Sequence, residues 1–449
     1  MKKIGTTRRQ FLKTAGSLYL LGLAHPLLTS CGSGQRTPAY SRTIGQTTAY
    51  INELMTKNNV QGLAIGLVDD QEVVWAQGFG YADADPAKKV PVTSETLFGI
   101  GSTSKTFAAM MIMKLVEQGL VNPDDPLVKY IPQFSLGAPS DPAAPPSGPI
   151  TIRTMLTQHS GVPGELVGPS SIFTSVFHPD YNARAIDYLK SSRAQYPTDY
   201  FFAYCNTAVG FLAEVIAAAT GRSFMDYSNE FLRSLGMNHS SFDRDDPSVA
   251  VGQTKTYMRA GTEVFDGYVN PLTAGSMLSS VADMTRYIKM IHAGGKAGSA
   301  RVLRSDTLEA MVTPQNMSVP LDFDFRIGFM WWLADPDLAY AGRLCHHGGD
   351  TNLSHTQLEI LLDHKLGVIV LTNTSSGGAI KNDVAIKALQ LAVEEKAALR
   401  PPAFVPVYSA VVSCCLVTQW AVKFPSPLFR MSWPTGPGWP AASARSSRS

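Results

Sequence analysis

A serine and a lysine lie three residues apart, directly after two glycines, in the stretch FGIGSTSKTF over residues 98–107. On a helix these two residues, Ser102 and Lys105, share one face. The positive end of a helix dipole favours negative charge on a serine in the first turn. Burial near that end lowers the pKa of a lysine, which is then able to take the serine proton. Ser-x-x-Lys occurs once in the chain and predicts a nucleophile with its base. A capping serine beside a solvated lysine is the alternative on local evidence.

A tyrosine and an asparagine form a second candidate pair. Of the Tyr-x-Asn matches, only Tyr204-Cys205-Asn206 precedes a strongly helical run, about a hundred residues after Ser102. A tyrosine beside a lysine ammonium can be held ionised or can relay a proton. Asn206 is able to donate its amide to a substrate carbonyl while it accepts from Lys105. The other matches begin at Tyr50, Tyr227 and Tyr268.

The stretch RLCHHGGDTNLSH, residues 343–355, combines a histidine pair with small residues. Two registers fit the pattern His-x-Gly, because it can start at His346 and end at Gly348, or start at His347 and end at Gly349. Adjacent side chains on a strand face opposite ways, so only one histidine can face a site. We expect that residue to be His346. A histidine pair in a tight turn is the alternative.

The elements that must position these residues follow from the hydrophobic pattern. Residues 41–57 have helical spacing, and VQGLAIGLVDD with QEVVWAQGFGYAD predicts two strands in a hairpin. TSKTFAAMMIMKLVEQG predicts a helix that ends at Gly119. A loop rich in Pro, Ser and Gly over 135–149 is predicted to be an exposed insertion, and a helical section then runs to about residue 245.

Strands are predicted again in the last third of the chain. FRIGFMWWLA, RLCHHGGD, SHTQLEILLD and KLGVIVLTN have strand character, and NDVAIKALQLAVEEKAAL predicts a closing helix. The simplest fold is of the α+β class, with one antiparallel sheet built from both ends of the chain, helices packed on it and a mostly helical subdomain inserted between. A cleft where the two regions meet is the expected site.

The first 31 residues are predicted to be an export signal. Arg8 and Arg9 lie in TRRQFLK, before the apolar run SLYLLGLAHPLL, and the arrangement resembles a twin-arginine signal. The run is too short to span a membrane. It ends in LTSCG, which resembles a lipoprotein cleavage site, so we expect Cys31 to become a lipidated N-terminus. This predicts a periplasmic protein held to a membrane by its lipid; an ordinary signal peptide with an incidental cysteine is the alternative.

The net charge, the cysteines and the C-terminal composition bear on nucleic-acid binding, on metal or disulfide sites and on the end of the domain. The 449-residue chain has a formal net charge of +2 and no basic stripe, so nucleic-acid binding is not indicated. The cysteines show neither metal-ligand spacing nor a disulfide framework. Residues 401–449 lack Asp and Glu and predict an unstructured or non-native tail.

Together the three motifs resemble those of the serine β-lactamase and penicillin-recognising enzyme family, in the group that contains class C β-lactamases, D,D-peptidases, D-aminopeptidases and related esterases. The resemblance covers roughly residues 45–395. TIRTMLTQHSGVPG is similar to the segment TIRHLLTHTSGLP of that family. HHGGDTNLSH is similar to its HTGGTPGFSS, which aligns His346 with the motif histidine. The resemblance implies a β-lactamase/transpeptidase-like fold over a hydrolase domain at 41–400.

The resemblance also implies a role for each matching residue. Ser102 would be the acylated nucleophile, Lys105 would activate it, and Tyr204 would be a general base or proton relay. The N–H groups of Ser102 and Gly349 would form an oxyanion hole. No cofactor and no metal ion would be needed. The substrate-binding residues would be Asn206, His346, Gly348 and Gly349.

Two departures from the family pattern bear on the substrate. A histidine stands in the third motif where class C β-lactamases have a lysine, so a fixed charge is replaced by one that titrates near neutral pH. This weakens the case for a dedicated β-lactamase. Asp350 and Asn352 replace a small residue and a glycine, and we expect them to narrow the mouth of the site.

The expected function is therefore an exported serine hydrolase that forms an acyl-enzyme with a β-lactam, a D-amino-acid peptide or a small ester. An α/β-hydrolase is excluded because the chain has no G-x-S-x-G. A metallohydrolase is disfavoured because adjacent strand histidines chelate one ion poorly and the carboxylate-bearing signatures are missing; the histidines considered are His346, His347, His355 and His364. A catalytically silent, lipid-anchored binder of cell-wall peptides is the remaining alternative.

Overall fold

The structure is a computed structural model, and it describes residues 40–164 and 171–402. The predicted export signal, Cys31 and residues 403–449 of the predicted tail lie outside the described residues. The helices are α1 (Ser41–Asn58), α2 (Ser104–Glu117), α3 (Ile152–Leu156), α4 (Tyr181–Leu189), α5 (Asn206–Gly210), α6 (Leu212–Thr220), α7 (Phe224–Ser234), α8 (Pro247–Ala250), α9 (Leu272–Gly275), α10 (Val281–His292), α11 (Ser305–Met311) and α12 (Lys381–Ala397). The strands are β1 (Gly62–Asp69), β2 (Glu72–Asp83), β3 (Val90–Pro91), β4 (Phe98–Gly99), β5 (Phe173–Thr174), β6 (Tyr257–Arg259), β7 (Thr262–Glu263), β8 (Tyr268–Val269), β9 (Leu278–Ser279), β10 (Lys296–Ala297), β11 (Ala300–Arg301), β12 (Leu344–Asp350), β13 (His355–Leu361) and β14 (Leu366–Thr372).

The main sheet has six strands in the order β12-β13-β14-β1-β2-β3. All neighbouring strands in it are antiparallel, and β1 from the start of the chain pairs with β14 from its end, for example Ile65 with Val370. Most of the helices lie between these two parts of the sequence. The predicted α+β fold, with one sheet built from both ends of the chain, is confirmed.

Helices cover both faces of this sheet, which explains why β1 and β14 are apolar on both sides. Alternate residues of β1 enter different cores: Ala64 packs with α2 and α10, whereas Leu63 and Ile65 pack with α1 and α12. Strands β13 and β14 are buried along their whole length. A sheet covered on both faces needs continuous apolar runs rather than simple alternation.

Helix α2 is the centre of the larger core. Every residue from Ser104 to Met113 is buried, and so is Leu115. A helix that is buried on all sides must be surrounded by other elements, and here the sheet-side residues of α10 and the helical region around α6 both contact it. The N-terminal end of α2 is thereby fixed in position.

Residues 325–334 differ from the expected strand. Only isolated bridges form there, between Ile327 and Trp332 and between Trp332 and His346. Met330 has a positive φ of 60°, and the chain reverses direction beside it. The reversal prevents an extended strand, but it places Trp332 along the outer edge of β12.

In the part of the chain that the structure describes, no single helix is long and apolar enough to cross a bilayer. The helix pair Asn206–Thr220 and Phe224–Ser234, which is bent by 90°, has sufficient length and apolar composition when taken together.

The packing of α10 on β1 gives a stability prediction. A methyl group on Gly66 would lie 2.6 Å from Val281 Cγ1 and 2.9 Å from Thr285 Cγ2. We predict that Gly66→Ala lowers the free energy of unfolding by about 1–3 kcal/mol, because overpacking forces the helix off the sheet. Urea denaturation measures this change.

The matched control is Gly45→Ala on α1, where an added methyl group meets nothing within 4 Å. We expect this change to raise the free energy of unfolding by up to about 1 kcal/mol, because alanine is the better helix former. Equal effects of the two substitutions would contradict the close packing of α10.

Candidate active site

Ser102 lies on a short 3-10 turn, Gly101–Thr103, directly before α2. The hydroxyl of Ser104 donates to the Gly101 carbonyl at 2.6 Å and so closes the turn. Gly101 has a φ of +50°, and a Cβ there would lie 2.6 Å from the backbone nitrogen of Asp350. Glycine is therefore required where the turn meets the edge strand β12, and this contact sets Ser102 against the edge of the sheet.

Lys105 lies one turn further along and is fully buried. Its Nζ donates to Ser102 Oγ at 3.0 Å, to Asn206 Oδ1 at 2.7 Å and to the carbonyl of Ala274 at 2.5 Å. The same Nζ lies 4.8 Å from the centre of the Tyr204 ring. Three oxygen acceptors match the three N–H groups of an ammonium. The sequence-predicted residues Ser102, Lys105, Tyr204 and Asn206 are thus brought together.

Tyr204 and Asn206 are positioned by the residue between them. Cys205 is buried, its N–H donates to Gln158 Oε1 at 2.8 Å, and its Sγ accepts from the N–H of Ala208 at 3.3 Å as the cap of α5. With Cys205 fixed as a small capping residue, its two neighbours are both half-buried at the site.

The expectation that His346 is the histidine that faces Ser102 is wrong. Side chains alternate along β12: Cys345 belongs to the core that contains α2, and Leu344 belongs to the core of α1 and α12. By the same alternation His347 lies on the α2 side and His346 on the opposite side. The register that starts the His-x-Gly motif at His347 therefore fits the structure.

His347 is almost fully buried beside the catalytic candidates. Its ring is 6.1 Å from that of Trp332, and Trp332 in turn stacks on Tyr204 with ring centres 6.4 Å apart. Burial, and then the positive charge of Lys105, lower the pKa of His347 to about 3. The third motif therefore presents a neutral imidazole at neutral pH, and not the titrating charge that the sequence led us to expect.

His346 has different surroundings. Its Nε2 lies 3.1 Å from the carbonyl oxygen of Ala334, and its Nδ1 lies 3.4 Å from Glu359 Oε1. Burial lowers the pKa of this imidazole as well. The structure does not bring His346 to Ser102.

The backbone of β12 determines which N–H groups are available to an oxyanion. The N–H and the carbonyl of His346 both bond to Trp332, at 2.9 and 3.1 Å, so this residue directs its backbone groups out of the sheet edge. The register of β12 on β13 has no shift. Alternation then directs the N–H of Asp350 to the same edge and that of Gly349 towards β13. The expectation that Gly349 donates beside Ser102 is wrong, and the edge N–H that lies near the Ser102 turn is that of Asp350.

Gly349 has no room for a side chain, because a Cβ there would lie 1.9 Å from the carbonyl oxygen of Ile100. A Cβ on Gly348 would lie 2.9 Å from Oε1 of Gln357, the end of a flexible side chain. Both stay predicted as substrate-binding residues, and the close approach adds a structural requirement for glycine at position 349. Gly349 lets β12 approach the turn that carries Ser102.

The side chain of Asp350 is held by Lys381 and His355. Its carboxylate accepts from Lys381 Nζ at 2.6 Å and from His355 Nδ1 at 2.7 Å. Lys381 also donates to the Gly349 carbonyl at 3.1 Å. The unusual acid at this position therefore anchors the end of β12 to α12, and the Lys381 contact supports the edge next to Ser102.

Sequence reasoning missed two contributors to the site. Ala274 acts through its backbone carbonyl, which no residue type reveals. Trp332 lies in FMWWL, where two adjacent tryptophans are noticeable in the sequence. The position of Trp332 beside the site, however, depends on the chain reversal at 330. Both contacts come from regions distant in sequence.

A family model described as Beta-lactamase matches residues 47–392, and the chain belongs to this family. A beta-lactamase-like protein of Homo sapiens is 27% identical over 301 residues, which are 65% of this chain and 55% of that protein. Protein flp of Staphylococcus aureus (strain MRSA252) is 26% identical over 250 residues, which are 54% of this chain and 48% of that protein. The chain spans about half the length of these curated relatives.

Two solved structures are similar in fold. The octameric penicillin-binding protein homologue from Pyrococcus abyssi has a TM-score of 0.65 and 28% identity over 79% of each chain. The class C beta lactamase from Rhodobacter sphaeroides has a TM-score of 0.61 and 20% identity, and the match covers 77% of this chain and 98% of that one. They confirm the β-lactamase/transpeptidase-like fold.

The buried, neutral His347 gives a pH prediction. The unfolded chain binds a proton at this histidine below about pH 6.5, whereas the folded chain does so only near pH 3. We therefore predict that stability falls as the pH drops from 6.5 towards 3, and that His347→Gln removes up to about 1.4 kcal/mol per pH unit of this slope. Urea denaturation of both proteins across this range measures the difference. Parallel pH profiles would show that His347 is not buried in its neutral form.

Proposed function

We propose that the protein is a serine hydrolase that works through an acyl-enzyme at Ser102. The observation that carries this proposal is the 3.0 Å contact of Lys105 Nζ with Ser102 Oγ, in a turn set against the edge strand. A serine beside a buried cation, with backbone N–H groups nearby, has the arrangement that nucleophilic acyl transfer needs.

Tyr204 is the proton acceptor in this proposal. The Nζ atom of Lys105 contacts Asn206 Oδ1 and the Ala274 carbonyl as well as Ser102 Oγ, so in this proposal Lys105 acts through its positive charge rather than as the base. A positive charge close to the Tyr204 ring favours the phenolate. The phenolate takes the Ser102 proton as the hydroxyl oxygen attacks the substrate carbonyl.

The remaining steps use the edge of the sheet. The N–H groups of Ser102 and Asp350 bind the oxyanion of the tetrahedral intermediate. Its collapse breaks the ester or amide bond, and the leaving group receives the proton held by Tyr204. Water, deprotonated by Tyr204, then attacks the carbonyl carbon of the acyl-Ser102 ester. The bond to Ser102 Oγ breaks, Tyr204 returns its proton to this oxygen, and the acid is released.

The lining of the site favours acyl donors without a carboxylate. His347 is neutral, and Trp332 stacks on Tyr204 to form an aromatic wall. For a carboxylate-bearing β-lactam, the site lacks the fixed positive charge that a lysine in the third motif would supply. We therefore propose small esters or neutral D-amino-acid amides as better substrates than β-lactams.

Substitution of Tyr204 tests the proposed base. We predict that Tyr204→Phe lowers kcat for a p-nitrophenyl ester by at least about 100-fold, because general-base catalysis contributes that much. The matched control is Tyr227→Phe, which alters another Tyr-x-Asn match and leaves the site intact; it is expected to retain the wild-type kcat. A normal kcat in Tyr204→Phe would move the base role to Lys105 or His347.

If no ester, peptide or β-lactam is turned over, the silent binder of cell-wall peptides is the better description.

We also propose that the protein is exported by the twin-arginine route and anchored by a lipid on Cys31. The support is the sequence TRRQFLK, the apolar run and LTSCG.

The anchor is tested by fractionating cells that express the full chain. Cys31→Ser is expected to move the protein from the membrane fraction to the soluble periplasmic fraction, because a lipid chain is what holds it. Cys414→Ser, the control, is expected to remain with the membrane. An unchanged distribution of Cys31→Ser would contradict the anchor.

A further inference from the structure

Three side chains with metal-binding atoms meet on the outer part of the sheet, away from Ser102. His346 on β12 and Glu359 on β13 are direct cross-strand partners. Asp335 directly follows residues 325–334. Trp332 in this segment hydrogen-bonds to the edge of β12 that is not paired with β13. One nitrogen or oxygen atom from each of Asp335, His346 and Glu359 lies within 4.8 Å of the other two.

Two of these side chains have buried atoms that no hydrogen bond satisfies. Glu359 is 1% exposed; its Oε1 accepts from Gln357 Nε2 at 2.6 Å, but its Oε2 has no hydrogen-bond partner. Nδ1 of His346 is also buried without a hydrogen bond. Among the residues that the structure describes, no lysine or arginine forms an ion pair with Glu359 or Asp335. A buried carboxylate without such a partner is costly.

The positions of these atoms leave space for a cation between them. Nδ1 of His346 lies 3.4 Å from Glu359 Oε1, and neither the Nδ1 atom nor Glu359 Oε2 has a hydrogen-bond partner. A deprotonated carboxylate and a neutral imidazole are the forms in which these side chains bind a metal ion.

We infer that Asp335, His346 and Glu359 form a binding site for one divalent transition-metal ion of the zinc class. One imidazole nitrogen and two carboxylate oxygens suit this class better than magnesium or calcium, which prefer oxygen ligands alone. Ligand atoms about 2.1 Å from a tetrahedral ion lie about 3.4 Å apart, so small side-chain rotations close the cluster. Asp335 is half-exposed, which leaves room for a water ligand on that side.

The proposed ion would hold three segments together next to the active site. It would join residues 325–335, β12 and β13, and the neighbours of its ligands include Trp332 and His347. His346 and Glu359 lie on the face of β12 and β13 opposite to α2, so the site is separate from the nucleophile. The inference does not depend on the proposed hydrolase function.

Metal binding to the full chain tests this inference. The protein is stripped with EDTA, dialysed, and titrated with Zn²⁺ by calorimetry and with Co²⁺ by visible absorption, which reports inner-sphere coordination. We expect one equivalent of each metal to bind and the Tm to rise with Zn²⁺. Glu359→Gln and Asp335→Asn are each expected to weaken binding at least 10-fold. Glu263→Gln changes an exposed glutamate paired with Lys255 and is expected to bind normally.

Several outcomes would overturn the site. These are the absence of saturable binding, or binding that both ligand variants retain at wild-type affinity. Because Asp335 is half-exposed, Asp335→Asn provides the test even if Glu359→Gln does not fold. Acylation of Ser102 in the stripped protein is measured in parallel, so loss of the metal site and loss of the hydrolase activity are distinguished.

Discussion

The site is organised by one buried charge. Lys105 is fully enclosed, and an unsatisfied ammonium in that position would be prohibitively costly. Its three oxygen partners come from three separate regions: Ser102 before α2, Asn206 at the start of α5, and the carbonyl of Ala274 in α9. Satisfying this cation therefore requires the helical region and the central helix to meet in one arrangement. Ser102, the proposed nucleophile, is one of the groups that this arrangement positions.

The second constraint is the close approach of backbone to backbone. Gly101 and Gly349 allow the turn of Ser102 to touch β12, and a Cβ at either position would overlap main-chain atoms of the other segment. The Lys381–Asp350 pair then anchors the end of β12 to α12. These contacts fix the end of β12 against the turn that carries Ser102.

Much of this arrangement follows from the sequence. The hairpin at the start, the strands at the end and Ser102 with Lys105 were all evident from periodicity and spacing, because these signals are local. The choice between His346 and His347 was not local. A shift of one residue exchanges the two faces of a strand, and both registers satisfy His-x-Gly. Only the packing of Cys345 and Leu344 into different cores decides between them.

The features that the sequence did not reveal depend on tertiary contacts. The reversal at Met330 breaks an apparently regular strand, and the carbonyl of Ala274 has no residue-type signature. Glu359 is one of several polar residues in the buried strand HTQLEIL. Only pairing with His346 and proximity to Asp335 show that its carboxylate belongs to a cluster.

The proposed function depends above all on acylation of Ser102. Intact-mass spectrometry of the full chain tests it after reaction with a fluorescent penicillin and, separately, with an activated ester, followed by peptide mapping. We expect a single adduct on the peptide that contains Ser102, formed with the ester at least, and absent from Ser102→Ala. An adduct that persists in Ser102→Ala, or that maps to another serine, would contradict it.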